Sequence, residues 1–71
     1  MNKIFHELRL FKDEMQEKLI YSANVKKRSG WDDPSWTIED VKKQLLDHVE
    51  KDDPVDVANL AMFWRYKQKN K

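Results

Sequence analysis

Apolar residues recur at Ile4, Leu8, Phe11, Met15 and Leu19, at spacings of four, three, four and four. That rhythm lines them along one stripe of an α-helix. No Gly or Pro interrupts it, so the pattern predicts a helix over about 3–22. Glu7, Glu14 and Lys18 flank one edge of the stripe. Periodicity then fails, and Gly30 followed by Asp32-Asp33-Pro34-Ser35 marks a loop over about 23–36. Trp31 and Trp36 lie inside that loop. Rings of that size have much apolar area to cover, so they are expected to close over the helix ends. The sharper expectation for Trp31 is stacking on a nucleobase.

Thr37 opens the next segment as an N-cap, with Asp40 placed to return a hydrogen bond to it. Ile38, Val41, Leu45 and Val49 form the inward stripe of a second helix, predicted over about 37–51. Asp53-Pro54-Val55-Asp56 is a further start signal: a capping Asp, a proline suited to the first helical position and an acid in the first turn. The third helix, predicted over about 54–68, is apolar nearly all round, and such a helix needs partners on several sides. Two neighbouring helices cover only part of it, so Val57, Leu60, Ala61 and Trp64 are expected at an interface between copies. The fold class expected is all-α: one domain spanning 1–71, a three-helix unit assembling into a homo-oligomeric helical bundle.

Length and composition point the same way. A chain of 71 residues is read as one domain. A single core of that size rarely supplies more than ~3–5 kcal/mol. There is no Cys to form a disulfide, and His6 and His48 are too few for a structural zinc site. Oligomerisation is the remaining way to gain stability. The segment after Met1 is no apolar signal core and no run approaches membrane-spanning length, so a soluble, cytoplasmic protein with no membrane partner is expected.

Net charge is only +1, but it is unevenly spread. Lys26-Lys27-Arg28 is one basic cluster, Arg65, Lys67, Lys69 and Lys71 are another, and acid concentrates between Asp32 and Asp56. The near-neutral balance argues against non-specific nucleic-acid binding. The third helix is too apolar to lie in a major groove.

The chemistry on offer is narrow. Ser22, Ser29 and Ser35 sit in no nucleophile context, and one Gly cannot build a phosphate loop. No catalytic residue is expected. Asp53, Asp56 and Asn59 follow at intervals of three, so Asp56 and Asn59 share a helical face. Asn59, inside an apolar helix, needs hydrogen-bond partners.

The segment Asp53-Pro54-Val55-Asp56-Val57-Ala58-Asn59-Leu60-Ala61-Met62 resembles the ExxD-V-A-N-F-A-M signature of all-α MazG-type nucleotide pyrophosphohydrolases. Phe11, Glu14-Met15, Lys18-Leu19, Asn24, Lys27 and Gly30-Trp31 resemble the lead-in of short, often phage-encoded members. The family, by this resemblance, holds Mg²⁺ between an ExxE pair on one helix and an ExxD pair on the next. The ions polarise the triphosphate and position the attacking water.

This chain departs from that pattern. Asp47 and Glu50 have the ExxE spacing, but at ~100° per residue Glu50 points away from the Val41 side of its helix. The inward polar residue is His48, and a neutral imidazole does not replace a bridging carboxylate for Mg²⁺. Asp53 stands where the longer Glu would be.

The expectation is therefore a non-catalytic nucleotide-binding oligomer without a cofactor, able in a phage setting to sequester a nucleotide-derived immune signal. Its ligand site would comprise His48, Asp56, Asn59, Lys26, Lys27, Arg28 and Trp31. Two alternatives stand beside it. One is a Mg²⁺-dependent pyrophosphohydrolase using Asp47, Glu50, Asp53 and Asp56. The other is an interaction module binding a host protein through the third helix.

Overall fold

The computed structural model of the chain describes residues 2–25 and 30–70. They form three helices and no strand: α1 (Asn2–Asn24), α2 (Ile38–Glu50) and α3 (Pro54–Lys69). All-α architecture is thus as expected, and each helix lies within two or three residues of its predicted bounds. Among the described residues, no helix is long and apolar enough to cross a membrane.

The caps explain where α2 and α3 begin. Thr37 has extended backbone and its hydroxyl accepts from the Asp40 amide, while the Asp40 carboxylate accepts from the Thr37 amide. This reciprocal pair satisfies two otherwise orphan donors at the start of α2. At its far end the chain reverses tightly. The Asp53 amide donates to the His48 carbonyl at 3.0 Å and the Asp52 amide to that of Val49 at 3.1 Å. Asp52 adopts the left-handed backbone, φ 57°, that this Schellman-type ending requires. Asp53 therefore does two things at once: its backbone closes α2, and its side chain caps α3 by accepting from the Asp56 amide at 3.3 Å.

α3 is the spine. α2 packs along it and α1 leans on it less extensively, whereas α1 and α2 make no close backbone approach to each other among the described residues. Val41 of α2, fully buried, and Leu60 of α3 form the small core. Asn59 is buried beside them, 4% exposed, and donates from Nδ2 to the Met15 carbonyl at 3.3 Å, joining α3 to α1.

The α1 stripe is only partly inward. Phe11, Met15 and Leu19 are half-buried, but Ile4 and Leu8 are 73% and 63% exposed. No residue of α1 is fully buried. Periodicity placed these side chains on one face correctly; among the described residues, little covers the N-terminal half of that face.

Candidate functional site

Because α1 and α2 each pack on α3 without a close backbone approach to each other, an open cleft of about 1280 Å³ is left between them. Its walls include Lys18 and Ser22 of α1, His48 of α2, Asp56, Asn59 and Phe63 of α3, and Trp31 and Trp36 of the loop.

The loop holds its aromatic rings by local turn chemistry. Gly30, at φ 89°, occupies backbone space that a side chain would strain, and its carbonyl accepts from the Asp33 amide at 3.0 Å. The Asp33 carboxylate then takes both the amide and the hydroxyl of Ser35 at 2.9 Å, which holds its pKa below the ordinary range. Asp33 also accepts from the Trp36 amide, and Lys67 donates to its carbonyl at 3.1 Å. Two tryptophans are thereby brought to Phe63. Trp31 stacks on it with centroids 5.2 Å apart and meets Tyr66 edge-on at 4.9 Å, while Trp36 meets Phe63 edge-on at 6.0 Å. Trp36 is half-buried against Phe63, which lies within α3 rather than at its end, and Trp31 remains 42% exposed while lining the cleft.

The polar end of the cleft is built by the α2–α3 turn. His48 Nδ1 lies 3.7 Å from Asp53 Oδ2 and 3.5 Å from Asp56 Oδ2. The ligand atoms of these three residues all fall within 4.8 Å of one another. A cation already stands among them: Lys18 Nζ donates to Asp53 Oδ2 and Asp56 Oδ2, each at 3.0 Å. The hydrogen bond from Lys18, followed by those from Asp56, pulls the Asp53 pKa down from 3.8 to about 2. The same contacts, Asp53 first, raise that of Lys18.

This donor set does not fit Mg²⁺. The hard ion wants several oxygens in octahedral geometry, and here an imidazole nitrogen and an ammonium stand where oxygens or waters would be needed. Asp47 and Glu50 are both exposed and outside the cluster, so the four acids Asp47, Glu50, Asp53 and Asp56 do not come together.

Of the expected ligand residues, His48, Asp56, Asn59 and Trp31 line one cleft. Lys26, Lys27 and Arg28 lie outside the described residues, although Ala23 and Gly30 on either side of that segment both line the cleft. Lys18 was not anticipated as a site residue. A lysine at the edge of an apolar stripe reads as a solvated flank, and only the 35-residue separation bridged to Asp53 reveals its role.

The expected interface residues are placed differently from one another. Leu60 is buried by the chain's own helices, which corrects its assignment to a surface between copies. Val57 and Trp64 are half-buried, Trp64 beneath the Lys42 ammonium at 5.1 Å, and Ala61 is exposed. Much of the apolar circumference of α3 is thus used within one chain, because α2 and α1 approach it from two sides.

Comparison of the chain with protein-family models, with curated proteins and with solved structures finds no match.

Among the described residues, three side-chain atoms are buried without a hydrogen-bond partner: His48 Nδ1, Asn59 Oδ1 and Trp64 Nε1. Two of the three belong to cleft-lining residues. Unpaired buried polar atoms are costly and uncommon, and each calls for a partner such as an ordered water, an ion or a ligand.

Proposed function

We propose that the chain binds a nucleotide or nucleotide-derived molecule in this cleft and does not hydrolyse it. The observation that carries the reading is the Lys18 ammonium held at 3.0 Å by both Asp53 and Asp56. The acid pair that a pyrophosphohydrolase would use for Mg²⁺ is neutralised from within the chain.

The rest of the cleft supplies what base recognition needs. Trp31 and Phe63 offer aromatic faces, and stacking is worth about 1–3 kcal/mol per base. Asn59 Oδ1 and the Asp56 carboxylate are acceptors, suited to the exocyclic amino group of a base rather than to phosphate. Glu17, Asp32 and Asp56 on the lining reinforce that preference. Lys26, Lys27 and Arg28 are the cations the sequence offers for neutralising phosphate.

Calorimetry against mononucleotides and cyclic dinucleotides tests the reading. Binding is expected for ligands with amino-bearing bases, weaker for uracil, and unaffected by EDTA. Silence across the panel overturns it.

The clustering of His48, Asp53 and Asp56 favours one competing reading, a metal-dependent pyrophosphohydrolase in which Lys18 withdraws. That enzyme would release pyrophosphate from nucleoside triphosphates, and EDTA would abolish the release.

A further inference from the structure

The first half of α1 is an apolar arm that the described residues leave largely uncovered. Ile4, Phe5 and Leu8 are 73%, 56% and 63% exposed. The same stripe continues into Phe11, Met15 and Leu19, which are half-buried where α1 meets α3. The chain is also elongated, 40 Å by 26 Å by 26 Å, and exposes 6039 Å². A compact monomer of 8.6 kDa would expose about 4,700 Å². The excess, on the order of 1,300 Å², belongs to the chain as a whole, and the bare face of α1 contributes to it beside the open cleft.

Charge along the arm indicates what covers it. Ile4, Leu8, Phe11 and Met15 have the alternating four-three spacing of a coiled-coil seam. Glu7 and Glu14 line one edge of the seam, and Arg9 and Lys12 line the other; all four are exposed. None of the four takes part in an ion pair among the described residues. Two such helices packed antiparallel bring like edges together, glutamate facing glutamate. Packed parallel, they bring unlike edges together, and Glu7 falls opposite Lys12 of the other copy, the g-to-e′ pairing of coiled coils.

We propose that the arm's occupant is a second copy of this chain, its α1 packed parallel and in register through Ile4, Leu8 and Phe11. Beyond Phe11 the stripe belongs to α3, so the two arms diverge and leave room for both α3 helices. The interface between copies thus lies on α1, not on the α3 residues Val57, Leu60, Ala61 and Trp64. It is independent of the nucleotide reading, because none of the arm residues lines the cleft.

Light scattering coupled to size exclusion reads the assembly. The unaltered chain is expected at twice its monomer mass at high micromolar concentration. Leu8→Asp should return it to monomer mass with helicity by circular dichroism unchanged, since Leu8 is 63% exposed in the single chain. The chain has no cysteine, so Ile4→Cys provides a clean geometric probe. Parallel, in-register arms place position 4 beside its copy, and mild oxidation should give a disulfide-linked dimer in high yield. Glu7→Lys should weaken the dimer, and adding Lys12→Glu should restore it. A monomeric unaltered chain, a dimer indifferent to Leu8→Asp, or a dimer that fails to cross-link through Ile4→Cys overturns the proposal.

Discussion

The Lys18 ammonium and the Asp53 carboxylate lie 35 positions apart in sequence and 3.0 Å apart in space. Asp53 also closes α2 through its backbone and caps α3 through its side chain. One residue therefore couples the ends of two helices to the flank of a third.

This coupling makes stability depend on acid pH. The Asp53 pKa is lowered from 3.8 to about 2 in the folded chain. A carboxylate with a depressed pKa contributes stability that is fully present above its unfolded value and is lost as pH falls through the folded one. The melting temperature should therefore drop as pH falls from about 4 to about 2. Lys18 behaves in the opposite sense: its pKa is raised above 10.5, so its contribution is present below that value and disappears at higher pH. Lys18→Met should flatten the acid slope, and an NMR titration should show the Asp53 carboxyl moving back up toward 3.8.

Asn59 should be sensitive to charge more than to size. Its Nδ2 bond to the Met15 carbonyl ties α3 to α1, while Oδ1 lacks a partner. Asn59→Ala removes a bond and an unsatisfied acceptor together, and urea unfolding should show a loss of about 1 kcal/mol. Asn59→Asp puts a carboxylate in a buried position three residues from Asp56 and should destabilise more at neutral pH, with the gap narrowing in acid. If the cleft binds a base, Asn59→Ala should also weaken that affinity.

Asp52 sits at φ 57° in the turn between α2 and α3. A residue with a Cβ is disfavoured in that left-handed region by roughly 1 kcal/mol. Asp52→Gly should therefore raise stability by up to about 1 kcal/mol, offset in part by greater freedom of the unfolded chain. Its effect on ligand affinity should be negligible, because Asp52 does not line the main cleft.

Of the two tryptophans that line the cleft, Trp31 is the more exposed and has the more surface to offer a ligand. Trp31→Ala should reduce nucleotide affinity by about 1–3 kcal/mol, roughly 5- to 150-fold, in calorimetry. The melting temperature should change far less than the affinity, because the ring is already partly in solvent.

Local signals made the helix starts readable. The Thr37–Asp40 box and the Asp53-Pro54 cap are short-range chemistry, and both form as their residues dictate. The facing of His48 toward the α3 start follows from its position one turn beyond Leu45. Coverage was not readable. Ile4 and Leu8 share a face with Met15, but whether anything lies over that face depends on the angle at which α1 crosses α3, and no local pattern encodes that angle. The clamp at Lys18 was hidden for the same reason. Its partners arrive from the far end of the chain, and a flanking lysine carries no mark that distinguishes a solvated charge from a captured one.

That α1 and α2 make no close backbone approach among the described residues has a consequence for the order in which the protein assembles. α2 and α3 are joined by a three-residue turn and share the buried Val41–Leu60 core, so their pairing closes only a short loop. α1 returns to α3 across a long connection and rests on a few half-buried side chains, one carbonyl and one ammonium. Its detachment should leave the hairpin intact. Backbone amides of α1 should exchange with solvent through that opening well before those of α2 and α3, and the cleft would be lost and regained with each such excursion.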